Sequence, residues 1–175
     1  MVNDPVDEVA RTQWAENGRF YSDGRFKQLT LFVGGLTLAG AGIAQYRDVV
    51  ITPGITMGVV LAQASMLFTA VMWVLEVRFA LLSVANWRRV PDLAPQIAIR
   101  GFSWLNGTTA VGALKCVAYG SFWSCAKIWG LNRLSLAIWA AVGMVLVVFT
   151  VVAYYPQREY GSFLGRKEQH TPDTG

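Results

Sequence analysis

The residue in this chain with the most chemical potential is Lys115. It stands in the middle of "NGTTAVGALKCVAYGSFW", residues 106–123, a run that reads as a membrane span except for this lysine. A lysine at the centre of a spanning helix costs about 2.5 to 3.5 kcal/mol on insertion scales, so it needs a partner or a task. Counted from an edge near Trp104 at 1.5 Å per residue, Lys115 lies about 16 Å deep, close to the midplane. The preceding span runs the other way, and its Gln63 and Ser65 reach a similar depth. With Tyr119, one turn along the same helix, they give an expected intramembrane polar cluster of Lys115, Gln63, Ser65 and Tyr119. Three roles are open to the lysine. It is a structural residue held by amide and carbonyl groups; it lines an aqueous or anion-conducting cavity at an oligomer axis; or it meets a ligand, a lipid headgroup or an acid of another membrane subunit.

Glu76 is the one acid inside an apolar span. It sits near the end of that span, which sets it about 15 Å from Lys115 in depth. Its expected neighbours are therefore Arg78 and Arg100, and with Arg88 and Arg89 these make up the interfacial charges. Little other chemistry is available. The single histidine, His170, lies in a polar tail, which argues against histidine metal sites, paired-histidine haem ligation and a Ser-His-Asp triad. No CxxC, Walker A or GxGxxG occurs, and the spans offer no carboxylate pair for hydrolysis. The expectation is a protein that is not an enzyme, with no catalytic residue, cofactor or metal. Cys116 and Cys125 are nine residues apart, roughly 180° around a helix, so they cannot bond to each other within it. They read as small buried apolar residues.

The elements that carry these residues belong in a membrane. Of 175 residues 54% are hydrophobic and only 15% charged, and the mean hydropathy is positive, which no ordinary soluble domain shows. The basic residues are scattered between apolar runs, so nucleic acid is not an expected partner. Four apolar segments, near 28–46, 56–79, 104–125 and 134–155, are long enough to cross a hydrocarbon core, which takes roughly 20 residues. The expected fold is an all-α membrane protein with four transmembrane helices. It divides into an N-terminal arm, 1–27, a transmembrane domain, 28–155, with a middle loop near 80–103, and a flexible tail, 156–175.

The arm has a strong helix start, with Asp4 as N-cap, Pro5 at the first helical position, and Asp7 and Glu8 in the first turn. Val6, Val9, Ala10, Gln13 and Trp14 fall near one face, predicting a short amphipathic helix that ends near Asn17-Gly18. The acidic first ten residues do not fit a secretory signal or a transit peptide. The second helix is expected to continue to Asn86 or Trp87, where Pro91 and Pro95 forbid regular continuation. Phe79, Leu82, Trp87 and Val90, beside Arg88 and Arg89, suit either a helix against headgroups or a solvated elbow.

Eleven of the 15 basic residues lie in the arm, the middle loop and the tail, whereas the two short loops hold only Arg47, Lys127 and Arg133. That asymmetry places both termini and the middle loop in the cytoplasm. Small residues mark packing faces: Gly35, Ala39 and Gly42 on the first span, widened by Gly34 and Ala41, then Gly58, Ala62, Ser65 and Thr69 on the second, and Ala110, Ala113, Gly120 and Ser124 on the third. The fourth span is apolar all round and suits lipid. One bundle cannot bury so many small-residue faces, so a homo-oligomer is expected, alongside the lipid bilayer and a cytoplasmic or membrane protein partner.

The junction "GRFKQLTLF" and the later "WVLEVRF" resemble stretches of small bacterial multi-spanning membrane proteins, some of which accompany anti-phage defence genes. The same junction is similar to two-span effector modules that depolarise membranes when a partner senses infection, although this chain has four apolar segments. The resemblance covers about a tenth of the chain and carries no functional residue onto a numbered position. It implies an oligomeric effector or sensor of a bacterial inner membrane that alters permeability. A structural accessory subunit of a larger complex and a small channel or transporter are the alternatives.

Overall fold

The computed structural model describes residues 5–90 and 107–168, with side chains over 8–90 and 110–153. Among them the chain forms four helices: α1 (Pro5–Tyr46), α2 (Met57–Trp87), α3 (Gly107–Ile128) and α4 (Arg133–Glu168). A small antiparallel hairpin, β1 (Val50–Thr52) and β2 (Ile55–Thr56), joins α1 to α2. Three helices contain stretches long and apolar enough to cross a membrane, namely Glu8–Tyr46, Met57–Trp87 and Arg133–Ala153. α3 is not among them, since Lys115, Lys127 and a run of small and hydroxylated residues dilute its apolar content.

Turn chemistry closes one end of the bundle. Pro53-Gly54 makes the hairpin turn, Gly54 taking the positive φ of 84° that only glycine adopts cheaply. The first amides of α2 need acceptors, and the turn between α1 and β1 supplies them: Met57 N–H donates to the Val49 carbonyl and Gly58 N–H to the Arg47 carbonyl. α3 ends on Gly130 at φ 89°, with Leu131 N–H reaching back to the Ala126 carbonyl, a Schellman stop. Asn132 then caps α4 through its side-chain oxygen and Ser135 N–H at 2.8 Å.

α2 is the centre of the bundle and packs on α1, α3 and α4. Half of its most apolar window is buried, against 6% for α1 and α4, so α2 builds the core and its neighbours show their outer sides. The main core gathers Ala62, Met66, Trp73 and Val77 of α2 with Tyr119 and Ala126 of α3 and Leu146 of α4. Its polar atoms are satisfied internally, as a low-dielectric surrounding requires. Trp73 Nε1–H donates to Thr150 Oγ1 at 2.8 Å, Tyr119 O–H to the Trp139 carbonyl at 2.7 Å, and Trp123 Nε1–H to the Leu136 carbonyl at 3.0 Å. Outward faces are rich in large apolar residues, among them Leu31, Leu38, Leu67, Val71, Ile138 and Val145.

Three expectations are corrected here. The arm is not a separate short helix, because α1 passes through Asn17-Gly18 without interruption and measures about 63 Å at 1.5 Å per residue. Gly18 is there for closeness rather than termination: a Cβ at that position would meet the Trp87 ring at 2.6 Å. The opening residues also face differently, with Val9 60% exposed and Ala15 buried against Trp87 and Val90. Thus Trp87 and Val90 belong to an α1–α2 contact and not to a headgroup-facing surface. Finally, α4 remains helical to Glu168, where a flexible tail was expected from 156. One internal proline removes a single backbone bond, and the residues after Pro156 include the good helix formers Gln157, Arg158 and Glu159.

α2 ends at Trp87, inside the expected bounds. Pro91, Pro95, Arg100, His170 and most of the middle loop lie outside the described residues. α1 is longer by about 33 Å than the roughly 30 Å that a hydrocarbon layer takes, and the first half of the helix is that surplus. This part, with the end of α2, forms a two-helix stalk fastened by Trp14, Ala15, Gly18, Trp87 and Val90, and by Arg89 over the Trp14 ring at 5.3 Å. Gly18→Leu is expected to open this contact, and tryptophan emission should shift to longer wavelength as Trp87 becomes wet. An unchanged spectrum would contradict the stalk.

Candidate functional site

Where the stalk meets the bundle, three helices each contribute one charge. α1 brings Arg25, α2 brings Glu76 and α3 brings Lys115. Arg25 Nε–H and Nη2–H both donate to Glu76 Oε1, at 2.9 and 2.7 Å. The other carboxylate oxygen, Oε2, lies 4.0 Å from Lys115 Nζ, an ion pair beyond hydrogen-bonding distance. Lys115 completes its shell by donating to the Met72 carbonyl at 3.0 Å and by facing the Phe32 ring at 5.5 Å. The side chains of Lys115 and Glu76 are 2% and 7% exposed, and Arg25 is a quarter exposed at 26%. A carboxylate therefore has a separate cation at each oxygen, in a place that water barely reaches.

Helix periodicity explains why these residues meet. On α1, Arg25, Gln28 and Phe32 recur at i, i+3 and i+7 and share the face toward α2. Phe32 is fully buried with Met72 and Ala118, which roofs the lysine stem. Nearer the stalk, one turn along α1 and two along α2, Ser22 and Ser83 share a hydrogen bond at 2.9 Å, and Ser22 O–H donates to the Gly18 carbonyl. Gly24 lets Phe79 approach, since a Cβ there would stand 3.2 Å from its ring. The polar groups on this face thus form a ladder from stalk to bundle, with the three charges as its innermost rung.

This arrangement corrects the expected partners of Glu76 and Lys115. Glu76 pairs with Arg25 rather than Arg78, which is exposed, or Arg100, which lies outside the described residues. The depth count failed because it started from the long middle loop, whose helix ends are irregular. Counted from the tight end, Met72 stands about 22 Å from the start of α2 and Lys115 about 20 Å from the end of α3, so they are level. Glu76 is one turn farther, about 6 Å, which the lysine side chain spans by snorkelling toward the stalk.

The other expected members of the polar cluster are elsewhere. Gln63 Oε1 accepts from Trp139 Nε1–H at 3.5 Å, Ser65 O–H donates to the Leu61 carbonyl, and Tyr119 is bound to Trp139. These hydrogen bonds lie on the hairpin side of Lys115, and none of them involves its ammonium group. Of the small-residue faces, Gly35 meets Phe68, where a Cβ would stand at 2.5 Å, Gly42 approaches Leu61, Ala39 is half-buried, and Gly58 and Ala62 are buried. Gly34 and Ala41 point outward, as do Ala110, Ala113, Gly120 and Ser124 of α3. Cys116 is exposed and Cys125 half-buried, both free. A thiol is apolar enough to face lipid. Arg88 and Arg89 are exposed on the stalk.

Arg25 is the residue that sequence reasoning missed. Its signal was present, because "GRFKQLTLF" and "WVLEVRF" are the two stretches that supply Arg25 and Glu76, and they lie against each other. Among the described residues no three His, Cys, Asp or Glu come together as metal ligands. Searches of protein-family models, curated proteins and solved structures find no match to this chain.

Proposed function

We propose that this chain is a non-enzymatic, four-span protein of a bacterial inner membrane, with termini and stalk in the cytoplasm, that acts as an oligomeric effector or sensor. In this reading α3 is the fourth span, held against α2 by its charge. A cytoplasmic partner engages the stalk, and the displacement of α1 reaches the bundle through Arg25, Glu76 and Lys115, altering permeability. A role in anti-phage defence fits such a device. The observation that carries the proposal is the buried charge triad at the base of a continuous helix that extends beyond the membrane.

The burial of Lys115 between α1 and α2 argues against its lining a pore in the resting subunit or docking to an acid of another chain. An effector would therefore need α1 to move before that charge became available. The accessory-subunit reading draws on one observation, the outward face of α3, whose Ala113, Cys116, Gly120 and Ser124 are small and exposed.

Overproduction in a bacterial host separates the two. The effector reading predicts a fall in membrane potential, read with a voltage-sensitive dye, that Gly18→Leu abolishes while the chain remains membrane-inserted. Full insertion with unchanged potential would contradict it, and co-purification with other membrane chains in a fixed ratio would favour the accessory role.

A further inference from the structure

The lipid-facing stripes of α1 and α2 both end in a cation. On α1, Lys27, Leu31, Leu38 and Gln45 lie on one exposed face; on α2, Arg78, Val74, Val71, Leu67 and Val60 do the same. Lys27 to Gln45 and Arg78 to Val60 each measure about 27 Å along the helix. Both lengths match the hydrocarbon thickness of about 30 Å. The helices are antiparallel and Arg25 meets Glu76, so Lys27 and Arg78 stand within about 6 Å of one level. Each is two residues from a triad member, roughly 200° around its helix, and so points outward where the triad points inward.

Neither cation has an ion pair among the described residues, and Asp23, one turn from Lys27, does not reach it. At the hairpin end the charges are occupied differently: Arg47 is paired with Asp48 at 3.2 Å, and Lys127 lies over the Trp123 ring. Phe26, 73% exposed beside Lys27, adds an aromatic ring at the same boundary.

We infer that Lys27 and Arg78 are seats for acidic phospholipid headgroups in the leaflet at the stalk end. The inference rests on the spanning architecture proposed above and adds a preferred lipid. Such headgroups would fix the height of α1 and α2 in the bilayer, and with it the level of the triad.

Spin-labelled phosphatidylglycerol and phosphatidylcholine, in vesicles reconstituted with the full chain, test this directly. The fraction of motionally restricted label should favour phosphatidylglycerol by roughly five-fold per cation at low salt, and the preference should weaken in high salt. K27Q/R78Q should abolish it, and K127Q/R133Q should leave it. Equal association of the two lipids with the wild-type chain, or a preference that survives K27Q/R78Q, would overturn the inference. Failure of the spanning architecture itself would appear as no restricted lipid of either kind.

Discussion

Glu76→Ala is expected to lower the stability of the detergent-solubilised chain by about 3–5 kcal/mol, the usual cost of leaving a buried charge without its partner. The variant strands Lys115, which is 2% exposed and retains only the Met72 carbonyl and the Phe32 ring. It also releases the forked hydrogen bonds from Arg25. Lys115→Met should behave oppositely. Glu76 keeps Arg25, the apolar side chain fills the space of the lysine stem, and stability should change by no more than about 1 kcal/mol. Reversible unfolding in mixed micelles, followed by tryptophan fluorescence, measures both. Equal losses would mean that the triad is not organised around its carboxylate.

The second large effect is expected at the other end of the molecule. Gly58→Leu should cost about 3 kcal/mol, at the upper part of the overpacking range. A Cβ there would stand 2.9 Å from the Arg47 carbonyl oxygen and 3.2 Å from both the Arg47 Cα and the Trp129 ring. Two of these contacts are backbone and cannot rotate away, and the same carbonyl accepts the Gly58 N–H. Gly42→Ala is the matched control, since its nearest neighbour is Leu61 at 3.8 Å, an ordinary contact. That change should be neutral or stabilise by up to about 1 kcal/mol through helix propensity. The comparison is read by thermal unfolding of the two variants, and a Gly58→Leu protein as stable as wild type would contradict the packing at the hairpin.

Much of the fold was legible in the chain. Hydrophobic runs announced the apolar helices, the prolines after Val90 marked the limit of α2, and Gly35 and Gly58 marked close approaches because neighbours can come near only where side chains are small. The continuity of α1 was hidden, since Asn17-Gly18 carries the same letters whether glycine ends a helix or admits a tryptophan from its neighbour. The hairpin of 50–56 was hidden for a related reason: five strand residues are too few for an alternation pattern.

The site was legible in one residue and misread in its partners. Lys115 stood out because no apolar span explains a lysine. Its acid was set aside because distance was counted from the end where the helices run on to different lengths. Tight turns align helix ends, so the same count from Met57 and Ile128 brings Met72, Glu76 and Lys115 together. Arg25 looked like one of several loop charges, and only the antiparallel register of α1 on α2 selects it from Arg19 and Lys27.

A double-mutant cycle between Arg25 and Glu76 tests the central claim most directly. With Arg25→Met, Glu76→Gln and the double variant in a single unfolding assay, the triad predicts a coupling of about 1.5–3 kcal/mol, typical of charged groups in one buried network. Losses that add to within about 0.5 kcal/mol would show the two side chains to be independent, and would contradict the link between stalk and bundle.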